Sequence, residues 1–225
     1  MRLLLKFPTR ARPDKFRETL AMYLNNLSGK HEIDMIISCD EDDHTMNNQK
    51  MRSFLGSVPN LKLVFGQSRT KVQAINANME VAEDWQICLL VSDDMLPQKP
   101  GYDDIICSNM KKYFPDLDGA LHFNDGRTFE KLNTLSIIGK KFYDRFGYIY
   151  HPDYSSLWCD NEFHEVSKSL GKTVYIDNMI IRHAWSDYTG KDPLHKRNES
   201  FFHKDKETFL KRQAAGFPKE SIFSK

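Results

Sequence analysis

Two adjacent carboxylates stand where a short apolar segment ends. Asp93 and Asp94 follow the apolar residues 87–91 after a single serine, Ser92. An apolar run of this length indicates a buried strand, and open α/β sheets bind ligands at the carboxyl ends of their strands. Neighbouring carboxylates repel each other unless a cation lies beside them, and their hard oxygens suit Mn²⁺ or Mg²⁺ bridging a diphosphate. A turn or a helix cap is the alternative for such a pair.

Aromatic side chains crowd the segment 142–158. Sugar rings and bases stack on aromatic faces, although most large aromatic residues fill protein cores. Three residues of this segment are candidates for an acceptor platform: Tyr150, Tyr154 and Trp158.

The elements that position these residues follow from the spacing of apolar side chains. Four short apolar runs predict strands buried on both faces, at residues 3–7, 33–38, 61–65 and 87–91. Helical spacing predicts helices between most of them, at residues 14–27, 70–79 and 102–114. Strands that alternate with helices build a mainly parallel sheet. The predicted fold class is therefore α/β, a Rossmann-like domain with helices on both faces of the sheet.

The second half of the chain predicts an extension of the same sheet. Strand candidates lie at residues 120–123, 134–138, 173–176 and 179–182, around one clear helix at 161–170. Asp160 stands where it could cap that helix. The polar residues 186–198 predict a loop able to close over a bound ligand, and residues 201–215 predict a C-terminal helix.

The composition is that of an ordinary globular protein. The 225 residues are 40% hydrophobic and 28% charged, and no run approaches the roughly 18 apolar residues of a membrane span. The four cysteines are widely spaced without a C-x-x-C pair, which favours reduced thiols. We therefore expect a soluble, cytoplasmic protein. The formal net charge is +1, but residues 182–225 hold ten Lys and Arg against six Asp and Glu, which favours a solvated terminal helix over a polyanion site.

Several enzyme classes lack their motifs here. Neither the P-loop pattern nor the dinucleotide-binding G-x-G-x-x-G occurs, and the G-x-S-x-G elbow of serine hydrolases is absent. A nucleotidyltransferase shares the α/β layout and the acidic pair, but its first loop is usually rich in glycine. The segment KFPTRARPDK contains none.

Segments spread over about residues 3–185 resemble the inverting, family-two-like glycosyltransferases of the glycosyltransferase-A fold, in the same order along the chain. KFPTRARPDKF resembles the opening strand and loop of that family, which implies that Pro8, Thr9 and Arg10 line the nucleoside pocket. IISCDEDD resembles the end of the second strand, where Asp40 would meet the base of the donor.

The next two matches concern the donor and the metal. SRTKVQAINANM is similar to a segment that packs beside the donor, which implies contacts from Lys71 and Asn76. VSDDM looks like the D-x-D-type metal motif, with Asp93 towards the ribose or sugar and Asp94 as the metal ligand. Ser92 replaces the first aspartate of the usual spelling.

The last two matches concern the acceptor side. LWCDNEFHEV resembles the motif whose aspartate, here Asp160, removes the acceptor proton, although Cys159 replaces a frequent glutamate. Glu162 is the competing carboxylate. YIDNMIIRHAW ends with His183, where related enzymes often supply a further metal ligand. A structural, hydrogen-bonding histidine is the alternative.

The resemblance implies a metal-dependent glycosyltransferase that moves a sugar from a nucleoside-diphosphate donor, by family frequency a UDP-sugar, to an acceptor hydroxyl with inversion. Residues 1–185 would form the catalytic domain, with a nucleotide-binding half at about 1–95 and an acceptor half at 96–185, followed by a loop and helix at 186–225. A glycan, a small molecule, a protein or a hydroxylated DNA base each presents a suitable nucleophile. The alternatives are a noncatalytic sugar- or nucleic-acid-binding module on a decayed transferase fold, and a nucleotidyltransferase.

Overall fold

The computed structural model describes residues 1–217, and its centre is a seven-stranded sheet. The four apolar runs of the first half form four of its strands: β1 (Arg2–Pro8), β2 (Glu32–Asp40), β3 (Leu61–Gly66) and β4 (Ile87–Leu90). They are parallel and lie side by side in the order β3-β2-β1-β4. The predicted α/β fold with a mainly parallel sheet is confirmed.

Five further strands follow along the chain: β5 (Met95–Pro97), β6 (Ala120–Phe123), β7 (Ile137–Gly139), β8 (Thr173–Ile176) and β9 (Ile181–His183). Strands β7, β6 and β8 continue the sheet beyond β4 in that order, and β7 runs antiparallel to both of its neighbours. β9 does not join this sheet, which corrects the expected extension. It pairs with β5 in a separate antiparallel ribbon.

Helices cover both faces of the sheet. Within residues 1–217 they are α1 (Pro13–Asn25), α2 (Gln49–Gly56), α3 (Lys71–Asn76), α4 (Tyr102–Tyr113), α5 (Lys140–Asp144), α6 (Cys159–Ser169), α7 (Trp185–Thr189), α8 (Pro193–Glu199) and α9 (Phe202–Ala214). The predicted helices at 14–27, 102–114, 161–170 and 201–215 are confirmed to within two residues. α3 ends three residues before its predicted limit. None of these helices is long and apolar enough to cross a membrane.

Two sequence-based expectations about the second half are wrong. The predicted loop at 186–198 contains α7 and α8, because Asp192 caps α8 by accepting a hydrogen bond from the backbone N–H of His195 at 2.7 Å. Asp160 does not cap α6, since that helix already begins at Cys159 and its cap position is Trp158. Asp160 lies in the first turn instead.

The core has two halves, one on each face of the sheet, because successive strand residues point to opposite faces. Leu3, Leu5 and Phe7 of β1 pack with apolar residues of α1 and α4. Leu4, between them, faces the other half, to which α3 and α6 contribute. Strands buried on both faces leave only their ends accessible, so chemistry is confined to the edges of the sheet.

A lysine lies inside this core. Lys6 of β1 is fully buried, and its Nζ donates to the hydroxyl of Ser38 and to the carbonyl of Ala77 at 2.6 Å. Burial lowers the pKa of Lys6 from 10.5 to about 8, and the weaker opposing effects come from Cys88, Glu80 and Cys39. The side chain links β1, β2 and the end of α3.

Lys6 predicts a pH dependence of stability. Between about pH 8 and pH 10.5 the unfolded chain holds a proton on this lysine that the folded chain has lost. The free energy of unfolding of the wild type should therefore increase with pH relative to that of Lys6→Met, which has no such group. The expected slope is up to about 1.4 kcal/mol per pH unit. Urea unfolding of both proteins from pH 7 to pH 9.5 measures it. Parallel stability curves for the two proteins would contradict the assignment.

Candidate active site

The carboxyl ends of the parallel strands bring the predicted donor residues to one edge. Pro8 ends β1, Asp40 ends β2, and Asp93 and Asp94 follow β4. β1 lies between β2 and β4, so the segments that leave these strands are neighbours. The fold therefore places residues from three separate parts of the sequence at one edge of the sheet.

Arg10 and Asp40 are in direct contact at this edge. Arg10 donates to Asp40 at 2.7 Å and, through both terminal nitrogens, to Asp42 at 2.6 and 3.0 Å. The backbone N–H of Ser68 also donates to Asp40 at 3.2 Å. The hydroxyl of Thr9 is buried and has no hydrogen-bond partner within residues 1–217. An unpartnered polar atom beside this ion pair is a group that a bound nucleoside could satisfy.

Asp93 is held by a residue that the sequence reasoning missed. Arg12, in the loop between β1 and α1, donates to Asp93 at 3.0 Å and binds Asp192 through two hydrogen bonds of 2.6 and 3.0 Å. Thr19 donates to the Asp93 carbonyl at 3.0 Å. Burial raises the pKa of Asp93 to about 6; Arg12 opposes this shift and the charge of Asp94 adds to it. The sequence feature that could have identified Arg12 is that it is the second arginine, after Arg10, in the segment that follows β1.

The ribbon of β5 and β9 places His183 beside Asp94. Met95 is the register partner of His183, and the backbone N–H of Ala184 donates to the Asp94 carbonyl at 2.8 Å. The His183 Nε2 lies 3.6 Å from the Asp94 Oδ2, and Ser92 donates to the other oxygen. Burial opposes ionisation of Asp94, but the His183 and Ser92 contacts outweigh it and hold the pKa of Asp94 below its usual range.

Asp94 and His183 bring one carboxylate and one imidazole side by side. Within residues 1–217, no three acidic, histidine or cysteine side chains converge on one point. The Nδ1 atom of His183 is buried without a partner in the same part of the chain. One carboxylate and one imidazole suit Mn²⁺, and a cation that bridges phosphates takes its remaining ligands from substrate and water. The residues present fit such a cation.

Lys71 and Asp160 complete the arrangement. The positive charge of Lys71, at the start of α3, lowers the pKa of Asp94 and acts in the same direction on Asp160. Burial is nevertheless the largest effect on Asp160 and raises its pKa above the usual value. Lys71, the backbone N–H groups of Asn161 and of Asp160 itself, and His183 oppose this shift. Two carboxylates near one lysine are thus shifted in opposite directions.

Glu162, the competing carboxylate, is fully engaged elsewhere. Arg212 of α9 donates to its two oxygens at 2.7 and 2.8 Å, and the hydroxyl of Tyr154 donates at 2.8 Å. The Asp160 carboxylate accepts one hydrogen bond from the backbone N–H of Asn161 at 3.0 Å. Geometry favours Asp160 over Glu162 as a proton acceptor, because Glu162 is bound by an arginine on both oxygens.

Three of the predicted contact residues make hydrogen bonds or packing contacts within the protein itself. The amide of Asn76 accepts from the backbone N–H groups of Ile149 and Tyr150 at 3.0 and 3.1 Å and donates to the Tyr150 carbonyl at 2.6 Å, so it holds a loop. Tyr150 and Tyr154 are 4% and 1% exposed. Buried rings offer no face to an acceptor, which corrects the platform prediction for both. Trp158 is partly exposed.

Side-chain contacts join α8 to the segments that follow β1 and β3. Asp192 joins it to Arg12, and Arg197 donates to the backbone carbonyl of Arg69 at 2.8 Å. Arg197 also lowers the pKa of Asp42, although Arg10 has the largest effect on that group. The segment that the sequence predicts as a loop is therefore helical, and α8 is tied to Arg12 and to the carbonyl of Arg69.

The Arg12–Asp192 pair predicts the accessibility of α8. Asp192→Asn keeps the helix cap, because asparagine caps equally well, but loses the charge that binds Arg12. We expect trypsin to cleave at Lys196 and Arg197 roughly fivefold faster, which corresponds to the loss of about 1 kcal/mol. Asp187→Asn, which removes an exposed pair with Arg127, is the control. Equal cleavage of the two variants would show that Arg12 does not hold α8.

The sequence matches no protein-family model and no curated protein. The fold is similar to those of several solved structures. PcManGT, a mannosyltransferase from Pyrobaculum calidifontis in complex with GDP-Man and Mn²⁺, is 14% identical with a TM-score of 0.62, covering 81% of this chain and 56% of that one. The fragment TarS 1-349 of S. aureus is 13% identical with a TM-score of 0.63, covering 80% and 59%. The complex of TarS 1-349 with UDP-GlcNAc is 14% identical with a TM-score of 0.62, covering 80% of this chain and 57% of that one.

The chain spans a little over half the length of these proteins. At such low identity the likeness concerns the arrangement of strands and helices, and membership of the family-two-like group stays a prediction. The comparison agrees with the parallel sheet and the clustered strand ends described above. The protein has a glycosyltransferase-A-like fold.

Proposed function

We propose that the protein is a metal-dependent glycosyltransferase that moves a sugar from a nucleoside-diphosphate donor to an acceptor hydroxyl with inversion. The observation that carries this proposal is the contact of the His183 imidazole with the Asp94 carboxylate, 3.6 Å apart beyond the end of β4. The charge of Lys71 acts on both Asp94 and Asp160, yet the pKa of Asp94 is shifted down and that of Asp160 is shifted up. A carboxylate with a lowered pKa suits a cation, whereas a raised pKa suits a proton acceptor. Structures with this fold that hold GDP-Man with Mn²⁺, or UDP-GlcNAc, support a donor of this class.

The donor would occupy the edge formed by the ends of β1, β2 and β4. Pro8, Thr9, Arg10 and Asp40 are the proposed nucleoside contacts, and the unpartnered Thr9 hydroxyl supports their role. Asp93 is the proposed contact for the ribose or sugar. Its bond to Arg12 orients the carboxylate. A UDP-sugar is the proposed donor.

The proposed reaction is a single displacement. Asp160 accepts the proton of the acceptor hydroxyl while that oxygen bonds to the anomeric carbon and the nucleoside diphosphate leaves with the electrons of the broken bond. Lys71 is placed to attract the anionic donor. Asp94 and His183 would hold Mn²⁺ or Mg²⁺, which when bound neutralises charge on the departing diphosphate. Trp158, two residues before Asp160, is the remaining candidate for an acceptor contact.

A donor panel tests the reaction class. We expect the protein to release free nucleoside diphosphate from at least one nucleotide sugar, to require Mn²⁺ or Mg²⁺ for it, and to give a product of inverted anomeric configuration. Chromatography of the nucleotide and the anomeric coupling in the proton spectrum measure these outcomes. Tight donor binding without any release across UDP-, GDP- and dTDP-sugars would favour the noncatalytic binding module.

Substitutions of Asp94 and Asp160 should affect nucleotide binding and sugar transfer differently, because the proposal gives the two carboxylates different roles. Asp94→Ala should weaken metal-dependent nucleotide binding and turnover together, with partial recovery at high Mn²⁺. Asp160→Asn should bind nucleotide and metal normally while transfer falls by roughly 10²-fold or more, since an amide cannot accept the proton. Calorimetry with UDP and Mn²⁺ and initial transfer rates separate the two effects.

The matched control is Asp144→Asn, which removes an exposed carboxylate paired with Lys140 on α5. It should leave both measurements unchanged. A folded Asp160→Asn protein that transfers sugar at the wild-type rate would remove Asp160 from the role of base.

A further inference from the structure

The segment that carries Asp160 is held from outside by the C-terminal helix α9. α9 packs against α6. Two charged side chains of α9 also form hydrogen bonds with residues on either side of Asp160 in the sequence. None of these charges belongs to the donor side of the site. The role inferred for these charges rests on the proposed function, in which Asp160 is the proton acceptor.

Asp205 of α9 is the first of these groups. It is completely buried, and its two oxygens accept hydrogen bonds from three consecutive backbone N–H groups, those of Ser155, Ser156 and Leu157, at 2.9, 2.7 and 2.8 Å. A buried carboxylate is stable only when its oxygens are satisfied, so these three amides and Asp205 fix one another. The bound loop ends directly before Trp158, where the chain turns into α6.

Arg212 of α9 is the second group. Its two hydrogen bonds to Glu162 lie two residues beyond Asp160, in the same first turn of α6. Glu162 is 5% exposed and receives a further hydrogen bond from Tyr154. A buried pair of this kind contributes little net stability compared with an apolar contact, but it defines one geometry. Asp160 is thus bracketed by two charged contacts from one helix.

The residue between these contacts has a strained backbone. Trp158 has a φ of +62°, in the left-handed region that a bulky side chain rarely adopts. Such a conformation persists only where the surroundings enforce it. The Trp158 ring packs against Phe202 and Phe209 of α9, with centroids 5.7 and 5.3 Å apart. α9 therefore stabilises the turn that aims the start of α6.

We propose that Asp205 and Arg212 are positioning residues for Asp160, and that α9 is a required part of the catalytic arrangement. Neither residue has to touch a substrate in this account. Asp205 fixes the loop before Trp158, and Arg212 fixes the first turn of α6 after it. The backbone between these two contacts determines the orientation of the Asp160 carboxylate. A small displacement of a proton acceptor is enough to lower a reaction rate by roughly 10²-fold.

The test compares Asp205→Asn with Glu207→Gln, which removes an exposed carboxylate from the same helix. The amide in Asp205→Asn keeps the shape but presents an NH₂ group to backbone donors. We expect kcat for sugar transfer to fall roughly 10-fold to 100-fold while the affinity for UDP with Mn²⁺ stays within about twofold. Amide hydrogen exchange should accelerate at residues 155–157. Asp205→Glu, which restores the charge, should recover part of kcat, and Glu207→Gln should match the wild type.

Two results would overturn the inference. One is unchanged amide exchange at residues 155–157 in Asp205→Asn, which needs no activity to be measured. The other is faster exchange there with wild-type kcat. If Asp205→Asn does not unfold cooperatively, Arg212→Lys is assessed by the same kcat and affinity measurements, because lysine keeps the charge but not the paired hydrogen bonds. Failure of the proposed function itself appears differently, as a wild-type protein that releases no nucleoside diphosphate from any donor.

Discussion

Asp93 and Asp94 are consecutive carboxylates at the end of a strand that is buried on both faces. Their negative charges repel each other, and other residues of the site offset this repulsion. Both are largely enclosed, so water does little to separate their charges. Each is offset by a different cationic or hydrogen-bonding group, Arg12 for Asp93 and His183 for Asp94. The two carboxylates therefore leave the strand with different partners and different pKa values, which is the physical basis for giving them different roles.

Those partners come from distant parts of the chain, and the fold is what delivers them. Arg12 lies in the first loop, and His183 arrives on β9 through its pairing with β5. The C-terminal segment adds three further charged contacts: Asp192 on Arg12, Asp205 on the loop before α6, and Arg212 on Glu162. The C-terminal tail, which the sequence suggests is merely solvated, thus contributes charged contacts to the loop after β1 and to the residues on either side of Asp160.

The fold could be predicted where local patterns are strong. The uninterrupted apolar runs of β1 and β2 and the amphipathic spacing of α1 and α4 are sufficient to define those elements. β5 has only three residues and no alternation, so its pairing with β9, and the place of His183, depended on a tertiary contact that spacing does not reveal.

The site was predictable in part for a related reason. The resemblance selected Arg10 and Asp40, which the fold does bring into contact. It could not distinguish a tyrosine that lines a cleft from one whose hydroxyl is bound inside, as those of Tyr150 and Tyr154 are by Ser136 and Glu162. Residue type is the same in both situations, and only burial separates them.

The division of labour between Asp94 and Asp160 is the central claim, and locating the metal tests it most directly. Anomalous scattering from crystals grown with Mn²⁺ and UDP would show the ion without reference to any assay. The account predicts one Mn²⁺ ligated by Asp94 and His183, with the Asp160 carboxylate outside its coordination sphere. An ion bound by Asp160, or one that contacts neither Asp94 nor His183, would contradict it.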